Sequence, residues 1–505
     1  MTFSRNLSLR GRSLGPVTVG LLVTQFIATI SVRLSNSRLD QSVQAIERAG
    51  WLALPAGPAA DTLRQWSSAL GGAVFFTLSI GIGLTLAAWS ILYLWQRLFG
   101  ARPRLLWIAA LGWLALAIAV NIRGWVLFPT LLMVCTPLAT ALAALRKGPA
   151  AGPIGAGRLW PVPLLTLMVL TGLWATQLNT RLFVTIRDQI LLSNAFGRSV
   201  NDFYYRYTLH AAECFKSFSQ KTVRTVGLEA VPDAAVARQL TRVLADQDVV
   251  TVSDRLPDDL TVRFADADTL ILAAPGGERL AVARQAFLAD PRPWLTRYAQ
   301  VTDRYGPFRR FTFVGLLLGF PILLYIAVDG AIGRIAGLFA QGPSLVWIRA
   351  GTCLLIGVLL FVPMLGAQAQ PLSAGQVGSA LAAAHWHQRV AALRYIEMEH
   401  LDLARYPQYK TLLGSPLVVE RYWVARALAY SHGETAQADL LTLIRDPHPN
   451  VVCQAYYALG ERGDRRAVPV IREHMLQSGH WYTQWYAYRA MRRLGWHQNL
   501  STSAP

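Results

Sequence analysis

The sequence predicts a polytopic α-helical membrane protein of about seven spans, carrying a small α+β extracytoplasmic domain and a C-terminal α-solenoid. Three observations lead there. The 505-residue chain is 53% hydrophobic and only 15% charged, where ordinary soluble domains carry about 25% charged residues. Seven apolar segments approach or exceed the roughly 18 residues that a spanning helix needs. Near the C-terminus the pairs Ala427-Leu428, Ala458-Leu459 and Ala490-Met491 recur at intervals of 31 and 32 residues, a solenoid period.

The expected spans lie at about 14–32, 69–95, 105–121, 125–145 and 160–178, a five-span block within residues 1–180, and at 311–328 and 345–365, within 311–366. Only "NIRG" (121–124) separates the third from the fourth, which reads as a tight hairpin with Arg123 at the water boundary. Arg5, Arg10 and Arg12 precede the first span, Arg97, Arg102 and Arg104 follow the second, and Arg146, Lys147 and Arg158 follow the fourth. These clusters fall on one side, which the positive-inside rule makes cytoplasmic. The expected location is therefore a bacterial-type cytoplasmic (inner) membrane, with the N-terminus inside and both 181–310 and the C-terminal domain outside. Arg33, Arg38, Arg48 and Arg64 in a loop expected at 33–67 run against the bias. The first span reads as an uncleaved signal anchor, because no clear small-x-small site follows it. "RAGTCLLIGVLLFVPMLGAQAQP" (349–371) has a basic start, an apolar middle and Ala367-Gln368-Ala369, the grammar of an export segment.

No His, Asp, Glu or Lys stands well inside an expected span, and Arg349 near the start of the seventh can snorkel to the interface. Paired axial His for a haem and a proton-relay carboxylate are thus missing from the expected spans. The net charge of +19 rests almost wholly on Arg, since Lys occurs only at 147, 216, 221 and 410. That balance reflects either a codon-level bias or a surface that meets anionic lipid or an acidic partner. The cysteines, Cys135, Cys214, Cys353 and Cys453, form no CxxC, zinc or haem-attachment spacing. Spacing alone leaves open whether Cys214 and Cys453 pair.

Residues 181–310 change character. The stretch 185–218 reads as helix broken near Gly197, and 233–246 as an amphipathic helix on Val236, Leu240, Val243 and Leu244. "DVVTVS", "LTVRFA" and "TLILAA" suggest three short strands, and 277–290 a closing helix. His210 and Cys214 share a helix face and could supply two metal ligands. Asp258, Asp259, Asp266 and Asp268 sit where strand turns call for Asp. "PGGERL" (275–280) joins an expected strand to an expected helix, where N–H groups could hold a phosphate. Tyr204, Tyr205, Arg206 and Tyr207 make an aromatic–cationic run that would serve an alternative site.

After an Ala-, Gly- and Gln-rich linker (367–380), residues 381–505 are helical and periodic. The clearest unit is "DPHPNVVCQAYYALGERGDRRAVPVIREHM" (446–475). Through Asp446, Pro447, Val451, Ala455, Ala458, Leu459, Gly460, Gly463, Asp464, Ala467, Val468 and Pro469 it resembles the HEAT-like repeat of the phycobilisome-lyase type. That resemblance implies stacked helix pairs that present a face to a protein partner, although some relatives are enzymes or bind nucleic acid. Small Ala at 427, 455, 458, 487 and 490 would let the helices approach closely. Eight of the nine His lie between 385 and 497, at positions suited to helix ends and turns.

The last repeat helix holds "HWYTQWYAYRAMRRLGW" (480–496). Trp481, Trp485 and Tyr488 fall at i, i+4 and i+7 on one face, beside Arg489, Arg492 and Arg493, and these six are the partner-binding candidates. A terminal repeat needs a polar cap to stay soluble, so this ringed face is expected to be covered, by the chain itself, by lipid headgroups or by a partner. The function expected is an integral membrane scaffold, accessory subunit or assembly factor, with membrane lipid and a protein as partners and no nucleic acid. The alternative is a membrane-embedded enzyme or transporter with its site between the spans and 181–310. Nothing in the sequence nominates a catalytic residue, a cofactor or a complete metal-ligand set.

Overall fold

The computed structural model describes residues 3–98, 103–146, 161–179, 182–252, 258–366 and 372–498, with backbone alone at 3–14, 97–98, 103–105, 161 and 363–366. The side chains of Arg5, Arg10, Arg12, Arg97, Arg102, Arg104, Lys147 and Arg158, and the triplet 367–369, lie outside the described residues. The chain is mostly helical and divides into two compact units. One comprises Met1–Leu34, Ala69–Leu182 and Asp303–Leu365; the other comprises Ser35–Ser68, Phe183–Thr302 and Gly366–Pro505.

The first unit is built from apolar helices. Among the described residues, Gly15–Arg48, Trp66–Gln96, Leu127–Arg146, Gly306–Ala336 and Pro343–Val362 are long and apolar enough to cross a membrane. The expected span 105–121 is a shorter apolar helix, Leu106–Val120, and Val162–Gln177 reaches span length only if joined to Leu182–Leu191. The opening helix runs Phe3–Arg48, so part of the expected loop at 33–67 is helical. Its continuation is explained by Asn36, Leu39, Val43 and Ile46, spaced at three and four residues and turned inward.

Hydroxyls and small residues join these helices. Thr24 Oγ1 lies 2.9 Å from Thr136 Oγ1, Thr140 Oγ1 donates to Thr136 O at 2.8 Å, and Thr77 Oγ1 donates to Gln25 Oε1 at 2.7 Å. Two helices each contain a π turn, Thr77–Gly81 and Gly315–Gly319. The turns meet backbone to backbone: a Cβ on Gly315 would stand 2.8 Å from Ser79 O. Asp329 stands one residue beyond the expected span 311–328. The helix Phe320–Ala336 extends past the expected end of its span, and Asp329 on it pairs with Arg349, whose Nε lies 3.0 Å from Oδ1.

The second unit contains a five-stranded sheet: β1 (Arg224–Glu229), β2 (Val249–Thr251), β3 (Leu260–Phe264), β4 (Thr269–Ala273) and β5 (Arg279–Ala283), in the order β2-β1-β3-β4-β5. β1 runs parallel to β2 and β3, while β3-β4 and β4-β5 are antiparallel. The helix Ala234–Ala245 makes the β1-to-β2 crossover, and the Asp233 carboxylate caps it by accepting from the N–H groups of Ala235 and Val236. Leu240, Leu244, Val226, Val262, Leu272 and Phe287 fill the core completely buried.

Two strands were not anticipated. β1 is short, contains Gly227 and is bounded by charged residues, so its central place in the sheet rests on tertiary pairing rather than local pattern. β5 occupies the first half of the expected helix 277–290, and only Arg284–Ala289 is helical there. Leu280 and Val282 turn inward while Arg279, Ala281 and Ala283 are exposed, a period of two inside a sequence rich in helix formers. Pro275–Glu278 is therefore a hairpin turn, with Gly277 at φ +94°. It opens no helix, and the phosphate-holding arrangement expected there is not formed.

The repeats stack their first helices, Trp386–Met398, Val418–Ala427, Pro449–Arg462 and Trp481–Arg493, with Glu434–Leu443 and Val468–Gln477 as second helices. Ala427, Ala455, Ala458, Ala487 and Ala490 are at most 2% exposed. Much of the Arg content is consumed between neighbouring repeats. Arg389 pairs with Glu420, Arg426 with Glu397, Arg466 with Glu434 and Arg493 with Glu461, each partner about one repeat away. The Asp-Pro motif has a local cause as well: Asp446 accepts from Arg421 through both oxygens and from the His448 N–H.

Candidate protein-interaction site

In the second unit, one side of the first-helix layer is covered by the chain's own segment Phe183–Cys214. The segment enters as a π turn, Arg187–Leu191, breaks at Asn194, and continues as the helix Ala195–Glu213. The break comes before the expected Gly197 because the Asn194 side chain caps the helix by accepting from Gly197 N at 2.8 Å. Gly197 instead permits contact, since a Cβ there would meet Ile190 O at 2.0 Å.

A buried polar seam joins this segment to the repeats. The Trp423 indole N–H donates to Asp188 Oδ2 at 2.9 Å, and Arg187 pairs with Asp188 and donates to Tyr422 Oη at 2.6 Å. The Arg187 guanidinium also stands 3.9 Å from the Tyr422 ring centre, a cation–π contact in a desolvated setting. Asn201 Nδ2 donates to Asn450 Oδ1 at 2.8 Å. Tyr205 inserts its ring against Tyr482, with centroids 4.7 Å apart. Among the alternative site residues, Tyr205 therefore faces the repeats, Tyr204 is exposed but stacks on Tyr482 at 6.4 Å, Tyr207 meets Phe203 at a tilt, and Arg206 is exposed.

The last repeat helix is covered from two other directions within the same unit. Trp481, 7% exposed, meets the His210 ring edge-on at 5.3 Å, with the Lys216 ammonium 5.3 Å from its own ring centre. Tyr488, 1% exposed, donates to Asp248 Oδ1 at 2.6 Å, and Arg492 reaches the same carboxylate and donates to Asp246 O. Trp485 is half-buried with the Arg489 guanidinium over it, and Arg489 and Arg493 are exposed. Of the six candidates, Trp481, Tyr488 and Arg492 are thus engaged with other elements of the chain, Trp485 and Arg489 pack on each other, and Arg493, though exposed, pairs with Glu461.

Two glutamines complete the cover, and sequence reading did not single them out. Gln484 accepts from Ala56 N and donates to Ala56 O, and Gln498 accepts from Leu52 N and donates to Leu52 O. Both side-chain amides pair with extended backbone as another strand would. Their burial is tolerable because these groups are satisfied. Gln484 lies on the face of the aromatic cluster, and its polar type at a core position was the available sign.

His210 and Cys214 do not assemble a metal site. His210 Nδ1 lies 3.2 Å from Asn36 Oδ1, and the Cys214 thiol points to His210 O. Burial pushes the His210 imidazole down to about 4 and the Cys214 thiol up to about 12. Among the described residues no three His, Cys, Asp or Glu side chains gather as a ligand set, and all four cysteines are free thiols. Asp266 accepts from the N–H groups of Asp268 and Thr269, which is ordinary turn chemistry, while Asp259 ties β3 to the start of β1 by accepting from Lys221 and from Thr225 N.

The side carrying the second helices leaves Arg445, Arg466, Arg472 and Glu473 exposed, although the end of Val468–Gln477 is met by Gly57, whose Cβ would stand 2.8 Å from Leu476 O. The arrangement offers charged and planar groups for binding, and among the described residues it assembles no metal-ligand set. Residues 409–492 match the family of HEAT repeats, whose stacked helices generally present surfaces for protein partners. No curated protein matches the chain, and no solved structure does.

Proposed function

We propose that the protein is an integral membrane scaffold, accessory subunit or assembly factor that docks a protein partner on the second-helix side of its HEAT repeats. The observation that carries the choice of side is the self-covered first-helix face: segment 183–214 already fills it, so the remaining repeat surface is the one built from Glu434–Leu443 and Val468–Gln477. Arg445 and Arg472 stand exposed on that surface and offer two guanidinium groups to an acidic partner, whereas Arg466 is held by Asp464 and Glu434.

Charge distribution supports the membrane part of the reading. The segments of the apolar unit hold 17 of the 48 Arg and Lys residues but only two of the 29 acids, Asp303 and Asp329. Both acids are ion-paired, to Arg309 and Arg349. Nine of the 17 cations fall within 1–13, 96–104 and 146–159, the segments assigned here to the cytoplasmic side of an inner membrane. Residues 181–310 and 381–505 are then extracytoplasmic.

The test is co-purification in mild detergent. A defined partner should be recovered with the native chain and lost with Arg445→Glu/Arg472→Glu, while far-UV circular dichroism stays unchanged. Recovery of the same partner by that variant removes the proposed face, and recovery of no stoichiometric protein removes the scaffold reading. A second reading, a membrane-embedded enzyme or transporter, draws support from the Asp329–Arg349 pair between two apolar helices, where ionisable groups commonly serve transport.

A further inference from the structure

The two edges of the five-stranded sheet are treated differently. Strand β2 is covered by the chain itself: the Trp51 indole donates to Thr251 O at 2.9 Å, and Val43, Ile46, Trp51 and Ala53 pack on Ala245 and Val250. Strand β5 forms the other edge, and Arg279, Ala281 and Ala283 on it are exposed. Natural sheets usually blunt such an edge with a bulge, a proline or a charge pointing inward at mid-strand. The centre of β5 is Leu280-Ala281-Val282, with none of these.

The hydrogen-bond register shows which backbone groups face out. Residues of β4 and β5 that oppose one another include Thr269 with Ala283 and Ala273 with Arg279. Beyond the ends of this ladder, Ala274 N donates to Glu278 O at 2.9 Å and Arg284 N to Asp268 O at 2.7 Å. In an antiparallel pair the bonded positions alternate, so residues 278, 280, 282 and 284 turn their amides toward β4. The N–H and C=O groups of Arg279 and Ala281 and the N–H of Ala283 consequently point away from the sheet, while the Ala283 C=O, at the N-cap of Arg284–Ala289, accepts the first bond of that helix.

We propose that β5 pairs antiparallel with β5 of a second copy of this chain, centred on Ala281, joining two sheets into one. Such a pairing sets Ala281 against Ala281 and Arg279 against Ala283, and about four backbone hydrogen bonds form, two between the Ala281 residues and two from Ala283 N–H to Arg279 C=O. No Arg faces Arg, which would be destabilising. At each end Glu278 of one copy comes opposite Arg284 of the other, which its own Asp268 also meets at 3.6 Å, so opposite charges face each other at the ends of the pairing. The inward residues Leu280 and Val282 of both copies fall on the same face, continuing one apolar layer. This inference is independent of the partner proposed for the repeats.

The experiment uses the full-length chain in its native membrane and in mild detergent. Ala281→Cys should give a disulfide-linked dimer on mild oxidation, because directly opposed Cα atoms about 5.5 Å apart suit a disulfide; the unsubstituted chain and Asp266→Cys should not. Native mass spectrometry should show two chains, falling to one in Ala281→Pro, whose lost N–H points outward and spares the β4 ladder. Ala283→Arg, which sets Arg against Arg279, should also halve the mass, and adding Arg279→Glu should restore it. A single-chain native mass, no cross-link from Ala281→Cys, or cross-linking to a different protein would overturn the proposal. So would a two-chain mass that Ala283→Arg leaves unchanged.

Discussion

Tyr488 donates its phenolic hydrogen to Asp248 at 2.6 Å, a contact that ties the last repeat helix to the turn before β2 across 240 residues of sequence. Asp248 adopts φ +58° in that turn and also receives Arg492 at 3.2 Å. The aromatic cluster at the end of the solenoid is therefore bound down by the chain's own sheet, which supplies the cap a terminal repeat requires.

Tyr488→Phe removes one charge-assisted hydrogen bond while keeping the ring. The expected cost is about 1.5–3 kcal/mol, seen as a lower thermal midpoint for the unit that holds the repeats. Asp248→Ala should cost more, because it takes a charged partner from Tyr488 and Arg492 together, leaving them Gln498 and Asp246 O respectively. A double-mutant cycle in which the two changes add without coupling would show that the contact carries no energy of its own.

The seam at Asp188 makes a sharper case. Its carboxylate is 1% exposed and serves both Arg187 and Trp423. Asp188→Ala removes the counter-ion of the buried Arg187, leaving it the Tyr422 hydroxyl, and takes the acceptor from the buried Trp423 indole N–H, a loss of about 3–5 kcal/mol by analogy with broken buried pairs. Hydrogen exchange across residues 183–213 should rise strongly, while exchange in the sheet core around Val262 and Leu272 stays slow. Equal protection of the segment in variant and parent would mean that the seam does not hold it.

How much of this was legible in the sequence depends on the range of the interaction involved. The repeats were readable because Ala427, Ala458 and Ala490 recur at fixed intervals, and the match over residues 409–492 supports the same unit. The apolar helices were readable from composition, although their ends were not: the opening helix runs on to Arg48, and Asp329 falls inside a helix. β1 and β5 escaped because their strand character comes from neighbours, Val226 buried between two parallel partners and Val282 against β4. The candidate site was half visible. Trp481, Trp485 and Tyr488 announced a face to be covered, but what covers it depends on Gln484, Gln498, Asp248 and Ala56, which no local pattern brings together.

Acid should loosen the same region. Burial lowers both His210 and His480 to about 4. His210 faces Asn36, Glu213 and Trp481, while His480 faces Arg206, Asp202 and His448, itself lowered by burial. Unfolded histidine takes up its proton near pH 6.5, so the folded state binds fewer protons between about pH 6.5 and 4. Stability contributed by neutral His210 and His480 is thus complete above that range and is lost as pH falls through it, by at most about 3 kcal/mol for each group. Thermal midpoints measured from pH 7.5 to 4.5 should fall, with a shallower slope in His480→Gln. A midpoint that holds steady over the range would contradict the assignment.

The apolar unit offers a test by glycine position. Gly315 meets Ser79 O, and Gly20 meets the hydroxyls of Thr140 and Thr85, so neither has room for a side chain; Gly112 has nothing within 4 Å of its missing Cβ. Apolar helices in lipid associate through such close backbone approaches rather than through expulsion of water. Gly315→Leu should therefore separate the two π turns and lower the temperature at which the detergent-extracted protein aggregates, by a change in stability of more than about 1–3 kcal/mol, the usual cost of overpacking. Gly112→Leu, at a position open in this structure, should leave that temperature unchanged or slightly raised. If both substitutions act alike, the face around Gly112 is not open to lipid but covered by another protein surface.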